Sequence, residues 1–279
     1  MLVLAALATA CTGEGGAQGA DGPDATATPT TTIPVTTTST PPGGRQPTVQ
    51  DPLRVTFAGD SVMAELAPAM IEALEASGEA EVRFVLSPSI PRGGASGVIW
   101  QQELADHDPD LIVNLAGFWE DSVVGDTASG EPGWPQRYRA QVVEPFLDLV
   151  TAEGAKVLWI GMAAVVDPAI TARFARLNSV FAQVAEDRED VDYLAAGEYL
   201  SDASGAYTEI RASPTTGAPV RLRRIDGLHL CPDGVAALGA PVLDRITEQW
   251  NVTGAFGWQN GDWRRPPLLH APEECPPPV

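Results

Sequence analysis

A serine stands where an apolar run gives way to a helical pattern, in the stretch FAGDSVMAEL (57–66). A serine hydroxyl is a weak nucleophile at neutral pH. It becomes reactive when a histidine accepts its proton and a carboxylate orients that histidine. The alternative is that Ser61 only caps the helix, because serine is among the residues preferred at that position. The choice depends on whether the chain offers a partner histidine.

The chain has three histidines. His107 lies in a charged turn before a predicted strand, which places it at the opposite end of a parallel sheet from Ser61, and His270 lies in a proline-rich tail. His229 follows Asp226 by three residues, on a loop that leads into the last predicted helix. An aspartate at that spacing can turn back and accept the imidazole Nδ1–H, although His229 could also be an ordinary surface histidine. Taken with Ser61, the Asp-x-x-His pattern favours a Ser61–His229–Asp226 triad.

Short apolar runs alternate with helical periodicity from residue 51 onward. This alternation predicts a five-stranded parallel sheet with helices on both faces, a three-layer α/β/α sandwich. The predicted strands are 53–58, 81–86, 110–116, 155–161 and 191–196, and the predicted helices are 61–77, 98–107, 136–154, 169–187 and 232–250. Sites in open parallel sheets form beyond the carboxyl ends of the strands, and the segments 59–61, 117–121 and 226–234 all fall there.

The N-terminal segment MLVLAALATAC is apolar and ends in small residues before Cys11. This is typical of a secretory signal that is too short to span a bilayer, and LATAC resembles a bacterial lipobox, in which the cysteine is lipidated. An ordinary secretory signal is the alternative. Residues 12–50 are rich in Thr, Pro and Gly and predict a disordered linker. We therefore expect a domain on the outer face of the cell membrane, lipid-anchored or secreted.

The net charge and the cysteine content limit the classes of binding partner and the cysteine pairing to be expected. The net charge of −20 argues against nucleic acid and against a basic patch on an anionic membrane, so the N-terminal lipid is the only membrane contact expected. With Cys11 lipidated, Cys231 and Cys275 remain as a pair, which favours a disulfide over two free thiols. No metal-ligand spacing or nucleotide fingerprint is present, so no metal and no cofactor is expected.

The segments GDSVMAEL and DGLHLCPDG resemble the first and last sequence blocks of the SGNH/GDSL hydrolase superfamily, over residues 51–250. The resemblance implies a flavodoxin-like sandwich in which Ser61 is the nucleophile, His229 the base and Asp226 its orienting acid. The α/β-hydrolase fold fits less well, because it needs Gly-x-Ser-x-Gly and Met63 stands at the second glycine. The tail 251–279 is expected to be irregular and held by the disulfide.

The resemblance also implies an oxyanion hole built from the Ser61 N–H, a glycine N–H in the second block and an asparagine in the third. Gly94 is the predicted glycine, with Gly93 and Gly97 nearby in the same loop. The third block reads Gly-Phe-Trp-Glu from residue 117, so Trp119 replaces the asparagine. Either another donor substitutes, or two backbone amides suffice.

This departure resembles SGNH domains linked to bacterial cell-envelope O-acyltransferases, in which a similar tryptophan and a cysteine after the histidine occur. It implies small O-acyl esters, acetyl groups on envelope carbohydrate above all, as substrates, and envelope acyltransferase machinery as a possible partner. An O-acyltransferase and a catalytically silent carbohydrate- or partner-binding domain are the alternatives to an esterase.

The loop 118–135 is expected to overhang the site, flanked by two tryptophans whose indole faces suit sugar stacking. The predicted substrate-binding residues are Asp60, Gly117, Trp119 and Trp134. Each tryptophan could instead belong to the core. The neighbouring pair Glu120 and Asp121 is expected on a solvated loop.

Overall fold

The computed structural model describes residues 45–87, 90, 94–120, 124, 127–213, 216–265 and 272–278. Predictions that concern the first 44 residues, with Cys11, and those for Gly93, Asp121 and His270 lie outside the described residues. Within the described part, none of the helices combines the length and the apolarity needed to cross a membrane.

One sheet of five parallel strands forms the centre of the domain, in the order β2-β1-β3-β4-β5. The strands are β1 (Leu53–Gly59), β2 (Ala80–Leu86), β3 (Leu111–Leu115), β4 (Lys156–Ile160) and β5 (Val191–Leu194). In β1, Phe57 lies between Phe84 of β2 and Val113 of β3. β1 and β3 are almost wholly buried, as strands covered on both faces should be.

The helices alternate with these strands. They are α1 (Ser61–Glu75), α2 (Gly94–His107), α3 (Trp134–Tyr138), a π-helical segment (Arg139–Val143), α4 (Glu144–Val150), α5 (Pro168–Asp187), α6 (Gly197–Leu200) and α7 (Pro232–Trp250). The last helix has the predicted bounds. α2 begins four residues before its predicted start, because Gly94 and Gly97 lower helix propensity without preventing a helix that tertiary packing supports.

Aromatic contacts assign helices to one face of the sheet. Trp159 of β4 stacks on Phe181 of α5 with ring centroids 4.2 Å apart and meets Phe146 of α4 edge-on at 6.0 Å. Trp100 of α2 in turn meets Phe146 at 5.1 Å. These contacts place α2, α4 and α5 together on the Trp159 face.

The other face is covered by α1 and α7. Leu115 of β3 points away from the Trp159 face, since its neighbour Asn114 pairs with Trp159. It lines a small cavity with Val62 of α1 and Leu238 of α7. The two helices also pack on each other. Helices therefore cover both faces, which confirms the predicted three-layer α/β/α sandwich.

Two regions depart from the predicted organisation. Residues 45–50 belong to the folded part, which corrects the linker boundary at residue 50: Arg45 forms an ion pair with Asp110, and the Gln46 amide donates to the carbonyl of Asn251 at 3.0 Å. An additional antiparallel hairpin, β6 (Ile210–Ala212) with β7 (Pro219–Arg221), was not predicted, because strands of three partly exposed residues carry no periodic pattern.

Gly59 ends β1 at a point where only glycine fits. A Cβ built on Gly59 lies 1.9 Å from the carbonyl oxygen of Leu115, which is backbone and cannot move aside. The absence of a side chain therefore lets β1 deliver the next two residues, Asp60 and Ser61, close against β3.

We expect Gly59→Ala to lower the free energy of unfolding by about 1–3 kcal/mol, because the added methyl group overpacks a rigid contact. The matched control is Gly97→Ala in α2, where a built Cβ has no atom within 4 Å. That change should raise the stability by about 0.5–1 kcal/mol, since alanine favours a helix over glycine. Urea unfolding measures both, and similar effects of the two substitutions would contradict the explanation.

Candidate active site

Ser61, His229 and Asp226 come together at the carboxyl end of the sheet. Ser61 Oγ lies 2.8 Å from His229 Nε2, and His229 Nδ1 lies 2.6 Å from Asp226 Oδ2. Because the carboxylate can only accept, Nδ1 carries the proton and Nε2 is left to accept the proton of the serine hydroxyl. The arrangement has the geometry of a nucleophile, its base and an orienting acid.

Asp226 is held in its charged form by local hydrogen bonds. Its Oδ1 accepts the backbone N–H groups of Leu228 and His229 at 2.9 and 3.0 Å, while Oδ2 faces the imidazole. Partial burial favours the neutral acid, but the hydrogen bonds from His229 and Leu228 outweigh it and lower the pKa of Asp226. A charged Asp226 keeps the histidine in the tautomer that can take a proton from Ser61.

Ser61 begins α1, but the residue that caps the helix is Asp60. Asp60 Oδ1 accepts the Val62 N–H at 3.0 Å from the position before the helix. The idea that Ser61 serves only as the cap is therefore wrong, and its exposed hydroxyl faces His229 instead.

Asp60 also joins the start of α1 to the loop after β3. Its Oδ2 accepts the N–H groups of Gly117 and Phe118 at 3.4 and 3.3 Å, and the residue is fully buried. Burial raises the pKa of Asp60, while the three backbone N–H groups act in the opposite direction. Asp60 thus has a positioning role, and substrate binding by Asp60 and Gly117 stays a prediction.

The two tryptophans predicted to bind substrate differ. Trp119 is 62% exposed and packs edge-on against Phe118, with centroids 5.2 Å apart. Trp134 is 0% exposed, stacked on Tyr138 with centroids 4.7 Å apart. The predicted stacking of a sugar on Trp134 is wrong, because its ring fills the core beneath the loop. For Trp119 it stays a prediction.

The expectation that Glu120 lies on a solvated loop is also wrong. It is fully buried rather than solvated, accepts the Tyr138 hydroxyl at 2.7 Å and accepts the N–H of Ile90. Ile90 lies between β2 and α2, so Glu120 holds one described residue of that connection.

Glu65 belongs to the site region but was not identified from the sequence. It lies on α1 one turn after Ser61, is 4% exposed, accepts the Leu230 N–H at 2.5 Å and forms an ion pair with Arg224. Burial raises the pKa of Glu65 to about 8, against the effects of the Leu230 hydrogen bond and Arg224. Its signal was the four-residue spacing from Ser61, which puts both on one helix face.

The two residues predicted for the oxyanion hole each stand at the N-terminus of a helix. Ser61 begins α1 after β1, and Gly94 begins α2 after the neighbouring strand β2. The first N–H groups of a helix have no partner within the helix and carry partial positive charge. In the third block the N–H groups of Gly117 and Phe118 are already donated to Asp60. The oxyanion role of Ser61 and Gly94 stays a prediction.

The remaining candidates are placed as follows. Cys231 and Cys275 form a disulfide with Cα atoms 5.7 Å apart. His107 ends α2 at the opposite end of the sheet, buried, with Nδ1 3.7 Å from Glu81. In the part of the chain that the structure covers, no three His, Cys, Asp or Glu side chains cluster as a metal site would require.

Residues 54–245 match the profile of a family described as "Protein of unknown function (DUF459)". Among solved structures, a GDSL-like lipase from Bacteroides thetaiotaomicron is 16% identical with a TM-score of 0.48, covering 73% of this chain and 92% of that chain. An acetylxylan esterase from Geobacillus stearothermophilus is 13% identical with a TM-score of 0.46, covering 77% and 97%. None of the curated proteins compared with the chain matches it.

The structure has the fold and the motif positions that the resemblance to the SGNH/GDSL superfamily implies. The sheet is parallel and five-stranded, Gly-Asp-Ser follows β1, and Asp-x-x-His stands directly before the last helix. The narrower resemblance to domains linked to acyltransferases stays a prediction.

We expect Asp60→Asn to lower the free energy of unfolding by about 1–3 kcal/mol. Its Oδ1 can still cap α1, but its NH₂ group would face the N–H groups of Gly117 and Phe118, donor against donor. Asp167→Asn is the matched control, because Asp167 caps α5 through Ala169 and is exposed. Asparagine caps as well as aspartate, so its effect should stay within about 0.5 kcal/mol. Equal losses in urea unfolding would contradict the role of Asp60 in holding the loop.

The raised pKa of Glu65 predicts a pH-dependent stability. The pKa of Glu65 is about 8 in the folded protein and has its ordinary value of 4.5 in the unfolded chain. The proton on Glu65 therefore contributes its full stabilisation of the folded state below pH 4.5, and this stabilisation is lost as the pH rises through about 8. Between about pH 5 and pH 9, wild type should therefore lose more stability than Glu65→Gln. Exposed Glu153→Gln should follow wild type. A parallel course of Glu65→Gln and wild type would contradict the assignment.

Proposed function

We propose that this chain, which belongs to the family described as "Protein of unknown function (DUF459)", is an SGNH-type serine esterase that acts outside the cytoplasm. It removes small O-acyl groups, acetyl above all, from carbohydrate of the cell envelope. The observation that carries the proposal is the 2.8 Å contact between Ser61 Oγ and His229 Nε2, with Asp226 at 2.6 Å on the far side of the imidazole.

In this mechanism Ser61 attacks the ester carbonyl while His229 Nε2 takes the hydroxyl proton. Asp226 remains charged and stabilises the imidazolium that forms. His229 then protonates the leaving sugar oxygen, an acyl-enzyme remains on Ser61, and water activated by His229 releases the acid. The N–H groups at the starts of α1 and α2, Ser61 and Gly94, stabilise the oxyanion.

The packing behind Ser61 supports a small acyl group. A cavity of about 10 Å³ lies among residues next to the triad, including Val62, Leu115, Met162 and Leu228. That volume holds a group of about the size of one water molecule. This cavity is too small to bury a long acyl chain, which agrees with the short acyl group of the proposal.

The exposed indole of Trp119 supports a carbohydrate substrate, because a sugar ring can stack on its free face. The disulfide supports an oxidising compartment. Lipidation of Cys11 would hold the enzyme at the outer face of the membrane, where acetylated envelope glycans occur.

We expect Ser61→Ala to lower kcat for p-nitrophenyl acetate by about 10⁴-fold or more and to abolish labelling by a fluorophosphonate probe, because both need the nucleophile. Ser179→Ala is the matched control: Ser179 is an exposed serine on α5 whose hydroxyl donates to the Arg176 carbonyl. It should keep full activity and labelling. Failure of the wild type to hydrolyse the ester and to label would refute the esterase and favour a silent binding domain, to which Trp119 in place of asparagine also points.

Product analysis with an acetylated glycan and a free acceptor sugar separates hydrolysis from transfer. Free acetate alone supports the esterase. Acetylated acceptor would instead assign the same triad to an O-acyltransferase, with a sugar hydroxyl replacing water.

A further inference from the structure

His229 and Asp226 lie at the tip of a hairpin formed by residues 222–231, called the His229 hairpin. The Arg224 N–H donates to the His229 carbonyl at 2.9 Å, and the Cys231 N–H donates to the Leu222 carbonyl at 3.0 Å. These two backbone bonds, which flank the paired residues Arg223 and Leu230, are the ladder that joins the two arms. Its position relative to Ser61 depends on what packs against it.

Residues 272–278, the C-terminal segment, contact the hairpin along its length. The Cys231–Cys275 disulfide joins the two covalently. The Ile225 N–H donates to the Glu274 carbonyl at 3.0 Å, and Arg224 Nη1 donates to Glu274 Oε2 at 2.7 Å. These contacts reach the residues immediately before Asp226.

A further contact lies beyond the disulfide, where Arg221 Nε donates to the Pro276 carbonyl at 2.7 Å. Residues 274–276 of the segment are thus bonded to the hairpin and to Arg221, the last residue of β7, directly before it. A segment attached at three levels limits both sliding and rotation of the hairpin.

Arg224 continues this contact to the helix of the nucleophile. Its side chain is 8% exposed and pairs with Glu274 on one side and Glu65 on the other. Glu65 also accepts the Leu230 N–H and lies one turn after Ser61. A continuous path of polar contacts thus runs from the C-terminal segment, through the hairpin, to α1.

We propose that the C-terminal segment is a positioning element for His229, acting through Glu274 and the Cys231–Cys275 disulfide, so that turnover depends on the oxidised state of that disulfide. This inference rests on the proposed esterase function. Glu274 and the cysteines touch no reacting atom. They set the Ser61–His229 contact, and a displacement of about 1 Å there can cost about 100-fold in rate.

The redox step is a two-electron reduction by a dithiol. The thiolate attacks the Cys231–Cys275 bond, a mixed disulfide forms, and the second thiol closes the reductant into its own disulfide. Two protonated cysteine thiols remain on the protein. Glu274 is then held to the hairpin only by its hydrogen bonds and its ion pair with Arg224.

The test compares oxidised wild type, wild type reduced by dithiothreitol, Cys231→Ala/Cys275→Ala and Glu274→Gln. We expect kcat for p-nitrophenyl acetate to fall about 10- to 100-fold in the reduced protein and the double variant, with KM little changed, and to recover on reoxidation. Glu274→Gln should fall less, because its amide oxygen still accepts from Arg224, and Glu274→Ala should fall further. All assays are run well below the melting temperature of each variant.

Asp192→Asn is the matched control for Glu274→Gln. Asp192 has a similarly exposed carboxylate, and it accepts from Arg245 at the same 2.7 Å distance, away from the hairpin. It should leave kcat unchanged.

Amide hydrogen exchange separates this inference from the proposed function. Reduction should speed exchange at residues 224–231 while β1 and β3 keep their protection, whether or not the protein proves to be an esterase. Unchanged hairpin exchange and a kcat within about twofold, with both thiols free by mass spectrometry, would overturn the proposal. Faster exchange throughout the domain would overturn it too, because the disulfide would then serve stability alone.

Discussion

The buried carboxylate of Asp60 is the contact on which the site depends. A charge removed from water is costly unless hydrogen bonds replace its solvation. Asp60 receives three backbone N–H groups, one from the first turn of α1 and two from the loop after β3. The positive end of the α1 dipole adds to this stabilisation. One side chain thus fixes where α1 begins, and therefore where Ser61 stands relative to the neighbouring strand.

Asp60 is one of three buried acids that act in the same way. Glu65 accepts a backbone N–H from the His229 hairpin, and Glu120 accepts one from the chain between β2 and α2. Each acid thus bonds to backbone from a segment that follows or precedes it far along the chain, in a protein whose net charge is −20. The backbone N–H is the common partner, because an irregular loop at the end of a strand has donors that no secondary structure uses.

This use of backbone donors explains what the sequence could and could not predict. The sheet, the last helix and the Ser61–His229–Asp226 set follow from apolar periodicity and from residue types at fixed spacings. Glu120 was expected in solvent, and Glu65 was not identified although its spacing from Ser61 puts both on one helix face. Residue types do not show that a backbone N–H from a distant loop will donate to a given carboxylate. The prediction for Trp134 was wrong for a related reason. The sequence around a tryptophan beside a loop does not show whether its ring faces solvent or, as here, stacks on Tyr138.

The backbone donors already used by Asp60 also matter for the position of Trp119, where the SGNH/GDSL resemblance implies an asparagine. An asparagine at this position would add an oxyanion donor from the third loop, where the N–H groups of Gly117 and Phe118 are already donated to Asp60. Under the proposed mechanism the oxyanion therefore depends on the starts of α1 and α2. β1 and β2 are adjacent and parallel, so α1 and α2, which follow them in the chain, both begin toward the carboxyl edge of the sheet. Under that proposal the partial positive charges at the two helix starts would stabilise the oxyanion, while the third loop carries the exposed Trp119 ring where an asparagine would be a donor.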